Sequence, residues 1–129
     1  MFTMFLSVAA GGALGASLRF FIGIMFAERW GLPLWAATVS VNILGCLSMG
    51  LCAGYIAHHS LLPDSLRGFI MVGFLGALTT FSSFALDIHI LVERSGFISS
   101  FMYLSGTVIA SIAVFLAGLW VMRWAAGAV

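Results

Sequence analysis

Charge is nearly absent from this chain. Five arginines and four acids make up 7% of its 129 residues, and there is no lysine. An ordinary soluble domain carries about 25% charged residues. With 63% hydrophobic residues and a mean hydropathy of +1.20, the deficit excludes a soluble domain and reads as an integral membrane protein. The formal net charge of +1 gives no electrostatic reason to expect nucleic acid or an acidic partner. Cysteine is confined to Cys46 and Cys52, which fall on different faces of one apolar segment. We read them as small core residues, neither a disulfide nor a metal pair. No Asn-x-Ser/Thr sequon occurs. His58 and His59 read as solvated loop residues and His89 as close to the membrane surface, none with metal-ligand spacing. There is no deep acid–base pair, no nucleophile with a positioned base and no phosphate loop, so an enzyme active site finds no support.

What the chain does have is four apolar segments, each long enough for a bilayer crossing of roughly 20 residues. They run from about Phe2 to Phe26, Leu34 to Ala57, Arg67 to Leu91 and Gly96 to Met122. The connections are Ala27 to Pro33, His58 to Asp64 and Glu93 to Ser95. Pro33 and Pro63 stand just before helices, where proline costs least, and Asp64 or Ser65 is placed to cap the third. The apolar start lacks a basic n-region and a small-residue cleavage site, so it reads as a membrane helix and not a leader. The expectation is a single four-helix transmembrane domain over residues 1–129.

Four crossings put Arg67 and Arg123 on one side and Arg29 and Arg94 on the other. The positive-inside rule then has almost no difference to act on. The chain is free to insert both ways, which makes an antiparallel dimer available; another orienting signal is the alternative. Gly11-xxx-Gly15, Cys46-xxx-Gly50 and Gly50-xxx-Gly54 suit close helix contact, within one chain or between chains.

The stretch Gly73-Phe74-Leu75-Gly76-Ala77-Leu78-Thr79-Thr80-Phe81-Ser82-Ser83-Phe84 is out of place in a lipid-facing helix. Its glycines and adjacent threonines lower helix propensity and predict a local break in the third segment. Non-helical backbone at membrane depth survives only under protein or along a water-filled cavity. The carbonyls of Gly76 through Thr79 therefore need a partner, for which a cation is one candidate.

Polar residues inside a membrane are expensive and point to function. Thr38 and Asn42 share one face of the second segment; a plain helix–helix hydrogen bond is the competing reading of Asn42. Ser99, Tyr103, Thr107 and Ser111 repeat every four residues along the fourth, as the wall of a polar track or as packing glue. Thr79, Ser83 and Asp87 form a second stripe. Arg19 is embedded in the first segment, unless it snorkels to the interface. The deep groups are donors: an amide, hydroxyls and, for Phe81 and Phe84, electropositive ring edges. Such a set favours a small anion, although ordinary core packing also accounts for the two phenylalanines.

Three stretches carry a resemblance to a known family: Gly11-Gly12-Ala13-Leu14-Gly15-Ala16-Ser17-Leu18-Arg19-Phe20, Thr38-Val39-Ser40-Val41-Asn42-Ile43-Leu44-Gly45, and the Gly73–Phe84 stretch. The chain resembles the Fluc/CrcB fluoride channels along nearly its whole length, departing from the common pattern at Ala77 and Ser83. The resemblance implies an all-α membrane protein, four transmembrane helices with a break in the third, assembled as an antiparallel dual-topology homodimer. It implies two fluoride pores at the subunit interface, in the bacterial inner membrane. Asn42 would donate to fluoride, Phe81 and Phe84 would offer ring edges, and Ser83, Tyr103, Thr107 and Ser111 would belong to the polar track. Thr38 joins the pore by its spacing from Asn42. Arg19 would lie toward the vestibule, and Gly76 and Thr79 would present carbonyls to a structural sodium ion. The alternatives are a small dual-topology cation/proton exporter, which would want a deep carboxylate that the first segment lacks, and a non-transporting membrane scaffold, which would need no hydroxyl stripe.

Overall fold

The computed structural model describes residues 1–58 and 62–127, and the backbone alone at His58. The readings of His59 and of the His58 side chain lie outside the described residues. The described chain is helical throughout: α1 (Phe2–Ile24), α2 (Leu34–His58), α3 (Asp64–Arg67), α4 (Gly76–Leu78), α5 (Phe81–Ser95) and α6 (Phe97–Ala125). Two π-helical stretches extend them, Met25–Arg29 after α1 and Gly68–Leu75 between α3 and α4. Four rods are long and apolar enough to cross a membrane: Phe2–Arg29, Leu34–Ala57, Asp64–Ser95 and Phe97–Ala125. The shortest, at 24 residues, rises about 36 Å, more than a hydrocarbon core of about 30 Å.

The turns are short and follow from local chemistry. Gly31, at φ +61, lets the chain reverse after the π turn, and Leu32 N–H closes onto Phe26 O at 2.8 Å. Leu34 and Asp64 open helices directly behind Pro33 and Pro63. The expected cap at Asp64 or Ser65 is corrected: Pro63 holds the N-cap position, no side chain caps it, and Asp64 is already helical. The third connection is also shorter than expected. Helix α5 continues through Ser95, and Gly96 alone, at φ +84, turns the chain into α6.

Small residues set the packing. α1 lies against the π-helical stretch, and α2 lies against α6. A Cβ on Gly11 would overlap Phe69 O, and one on Gly15 would overlap Phe74 O. On the other seam, a Cβ on Gly50 would overlap Phe115 O, and one on Gly54 would lie 2.6 Å from Met122 Cβ. The glycine spacings thus join helices within one chain, by backbone approach that no larger residue permits. Between the seams Val41, Leu75 and Leu78 form a small buried cluster, with Ile22, Met49, Ile70 and Phe74 around it. Much of the remaining apolar surface faces outward, including Phe2, Phe5, Phe97 and Ile109, as lipid or a partner copy requires.

Gly15→Val should destabilise the fold by about 1–3 kcal/mol, because the atom it meets is backbone and cannot move aside. Gly12→Ala, with nothing within 4 Å of its Cβ, should be neutral or slightly stabilising, since alanine favours helix over glycine. Chemical unfolding of the two variants in detergent checks the contrast; equal stability contradicts the seam.

Candidate functional site

The third rod is broken at Thr79 and Thr80. Thr79 has φ −77 and ψ 153, and Thr80 has φ −149 and ψ 125. The break thus falls inside the suspect stretch, at its threonines; its first part, Gly73–Leu75, remains π-helical.

One side chain holds the extended backbone. Asn42 Oδ1 accepts the Thr80 N–H at 2.7 Å, and Asn42 Nδ2 donates to Thr80 O at 3.0 Å. In an unbroken helix the Thr80 N–H would reach Gly76 O. The next displaced donor behaves alike: Ser83 N–H would reach Thr79 O, but it donates to Thr80 Oγ1 at 3.2 Å, making Thr80 the N-cap of α5. Gly76 O and Thr79 O thereby lose their helical donors, as Ala77 O and Leu78 O lose theirs where the helix is interrupted. Asn42 keeps one further N–H, since its amide has two.

Two open hollows flank the break and share Thr80. The first, of about 450 Å³, is lined by Asn42, Cys46, Gly76, Thr79, Thr80, Phe81, Phe84, Thr107 and Ser111, with Val108 and Ile112. It gathers most of the residues that the sequence singles out. Phe84 is 3% exposed and Phe81 78% exposed, with their ring centroids 5.8 Å apart. One ring is therefore core, while the other stands at the open side. Thr107 is buried. Ser111 Oγ is buried with no hydrogen-bond partner among the described residues, a costly state for a hydroxyl.

The second hollow, of about 580 Å³, is a cleft among α1, α2 and α5, lined among others by Arg19, Glu28, Thr38, Thr80, Ser83 and Asp87. Arg19 Nη1 donates to Ser83 Oγ at 3.5 Å, and Thr80 Oγ1 donates to the same oxygen at 3.2 Å. Arg19 thus reaches inward to the start of α5. Tyr103 stands apart from both linings but ties them together. Its hydroxyl donates to Asp87 Oδ2 at 3.1 Å, and its ring lies 5.2 Å from Phe84 and 5.8 Å from Trp35.

Two stripes read from the sequence are redrawn. Thr79 does not share a face with Ser83 and Asp87, because the extended residues interrupt the 3.6-residue period: Thr79 faces the first hollow, and Ser83 and Asp87 the second. At the other end of the α6 stripe, Ser99 is exposed and donates to its own Ser95 O at 3.2 Å. Thr80 is the residue that sequence reasoning leaves without a role, although Thr80-Phe81-Ser82-Ser83 has the spacing of an N-cap with its N3 residue. Glu28 and Cys46 join the linings only through the fold.

A four-span helical membrane protein with a hydroxyl-lined break in its third span is the class that this fold and site define. The chain belongs to the CrcB family (CrcB-like protein, Camphor Resistance), which it matches over residues 6–119. That range contains every candidate residue above. It is 42% identical over 124 residues to a protein of Stutzerimonas stutzeri named fluoride-specific ion channel FluC, covering 95% of this chain and 99% of that one. It is 45% identical over 120 residues to the protein of that name from Paracoccus denitrificans, covering 92% and 94%. It is 42% identical over 122 residues to the one from Rhodospirillum centenum, covering 95% and 97%.

Asn42→Ala should leave Thr80 N–H and O unpaired, at a cost of about 1–3 kcal/mol. Amide exchange should accelerate at Thr80 and its neighbours more than in α2 or α6. Unchanged protection at Thr80 contradicts the clamp.

Proposed function

We propose that this protein is a fluoride-selective ion channel that passively releases cytoplasmic fluoride. The observation that carries the reading is the first hollow: Asn42, Phe81, Phe84, Thr107 and Ser111 line it together, with no carboxylate in the lining, so an amide, ring edges and hydroxyls are the groups available to an ion there. Family membership and the names of the relatives support it. Removing water from fluoride costs on the order of tens of kcal/mol unless other donors replace it. A narrow row of donors does so for a small ion and leaves a larger halide poorly fitted. Several weak sites allow the ion to leave again. In this reading Arg19, Thr38 and Ser83 serve the approach, and Tyr103, Thr107 and Ser111 continue the polar track. HF crosses membranes neutral and ionises inside, and a fluoride leak drains the product. The protein is a channel and not an enzyme.

A second, oppositely oriented copy completes the site. The first hollow is open on one side, and its polar groups cannot face lipid. Closure by a second copy would give two pores at an antiparallel homodimer interface, consistent with arginines balanced between the two sides. The same closure would bring two pairs of Gly76 and Thr79 carbonyls together. Hard cations take oxygen ligands, backbone carbonyls among them. The deprived carbonyls therefore fit a structural sodium ion, which when bound would supply a fixed positive charge between the copies. Such a protein belongs in a bacterial inner membrane.

Liposomes holding the purified protein, with valinomycin and a potassium gradient to balance charge, should lose fluoride rapidly and retain chloride. No fluoride loss from well-folded protein contradicts the reading. Phe81→Ile and Phe84→Ile keep apolar volume but remove the ring edges, so fluoride flux should fall by about tenfold or more for the loss of about 1.4 kcal/mol. Unchanged flux in both removes the rings from the pathway. Lysines added to one loop should fix one orientation and abolish flux until an oppositely biased copy is co-expressed. Full flux from the fixed copy alone contradicts the antiparallel dimer.

A further inference from the structure

Gly45 sits on α2 three residues beyond Asn42, on the helix that meets the break. It is buried, and it differs from the seam glycines in what it faces. A Cβ built there would overlap Thr79 Cγ2, and beyond the neighbouring turns of α2 the only other described atom within 4 Å is Thr79 Cβ, at 3.8 Å. The space over Gly45 is therefore a notch filled by a single methyl group.

That methyl cannot readily turn away. Thr79 Oγ1 donates back to Leu75 O at 3.0 Å, beside the Thr79 N–H on the same oxygen at 3.1 Å. The side-chain bond selects the Thr79 rotamer, and the rotamer directs the methyl at Gly45. Thr79 is also where the helix gives way to extended backbone. A shift of its Cβ rotates the following peptide and with it the Thr79 carbonyl.

We propose that Gly45 and Thr79 form a steric lock: the notch over Gly45 seats the Thr79 methyl and so fixes where the helix stops and where the Thr79 carbonyl points. Gly45 is thereby a positioning residue for the break, acting beside the Asn42 clamp and touching no ion. The flux arm of the test rests on the fluoride-channel reading; the stability arm does not.

Alanine favours helix over glycine, so Gly45→Ala would stabilise α2 if propensity alone governed. The lock predicts the reverse sign. Gly45→Ala should lower the melting temperature of the purified protein and cut fluoride efflux by about tenfold or more, as misplacement of a working group does. Thr79→Ser keeps the hydroxyl and deletes the methyl, so Gly45→Ala/Thr79→Ser should return both readouts to those of Thr79→Ser alone. Thr79→Val keeps a methyl toward the notch, so Gly45→Ala/Thr79→Val should stay impaired. If Gly45→Ala does not fold, recovery of folded protein in Gly45→Ala/Thr79→Ser supports the lock. A neutral or stabilising Gly45→Ala, or a double variant with serine no better than Gly45→Ala, overturns it. Absence of fluoride flux in the unsubstituted protein would count against the channel reading, while the melting temperatures would still decide the lock.

Discussion

The backbone of Thr80 is extended in the middle of a long apolar rod, and both its polar groups are held by Asn42. Everything specific to the site depends on that capture. A bilayer has no water to satisfy a broken helix, so the break exists only because α2 brings an amide to it. The same capture withholds the donor that Gly76 O would otherwise receive, and the Thr80 cap does the like for Thr79 O. Two side chains thereby turn a helix into two half-helices, with carbonyls that lack helical donors on one side and a capped N-terminus on the other.

The rest of the fold serves to bring α2 and the third rod into register. Gly11 and Gly15 let α1 approach the π-helical stretch, and Gly50 and Gly54 let α2 approach α6. These seams leave little room for a conventional core, and the buried cluster is correspondingly small. Rigidity comes from close backbone approach, which suits a protein whose surroundings are as apolar as its own side chains. The site is consequently built on rods and not on loops.

Several features were legible in the residues themselves. The four rods follow from summed hydropathy, and the break follows from glycines and threonines where leucines would serve a plain span. Asn42 stands out as the one asparagine. Its partner did not, because Thr80 lies 38 positions away and donates through backbone atoms that every residue possesses. The Thr79–Ser83–Asp87 stripe misled for a related reason: a four-residue spacing marks one face only while the helix is unbroken. Arg19 reads equally well as snorkelling or embedded until Ser83 is seen beside it.

By itself the sequence determined that this chain is a four-span helical membrane protein, where its third span weakens, and which few polar groups lie at depth. These are sums and local propensities, which composition and spacing carry. Only the tertiary structure decided which backbone donors are captured, which carbonyls are left, and how the polar residues divide between two hollows. A hydrogen bond depends on an approach of about 3 Å between atoms, and that approach is set by how α2 seats against the break, a relation that no single segment contains.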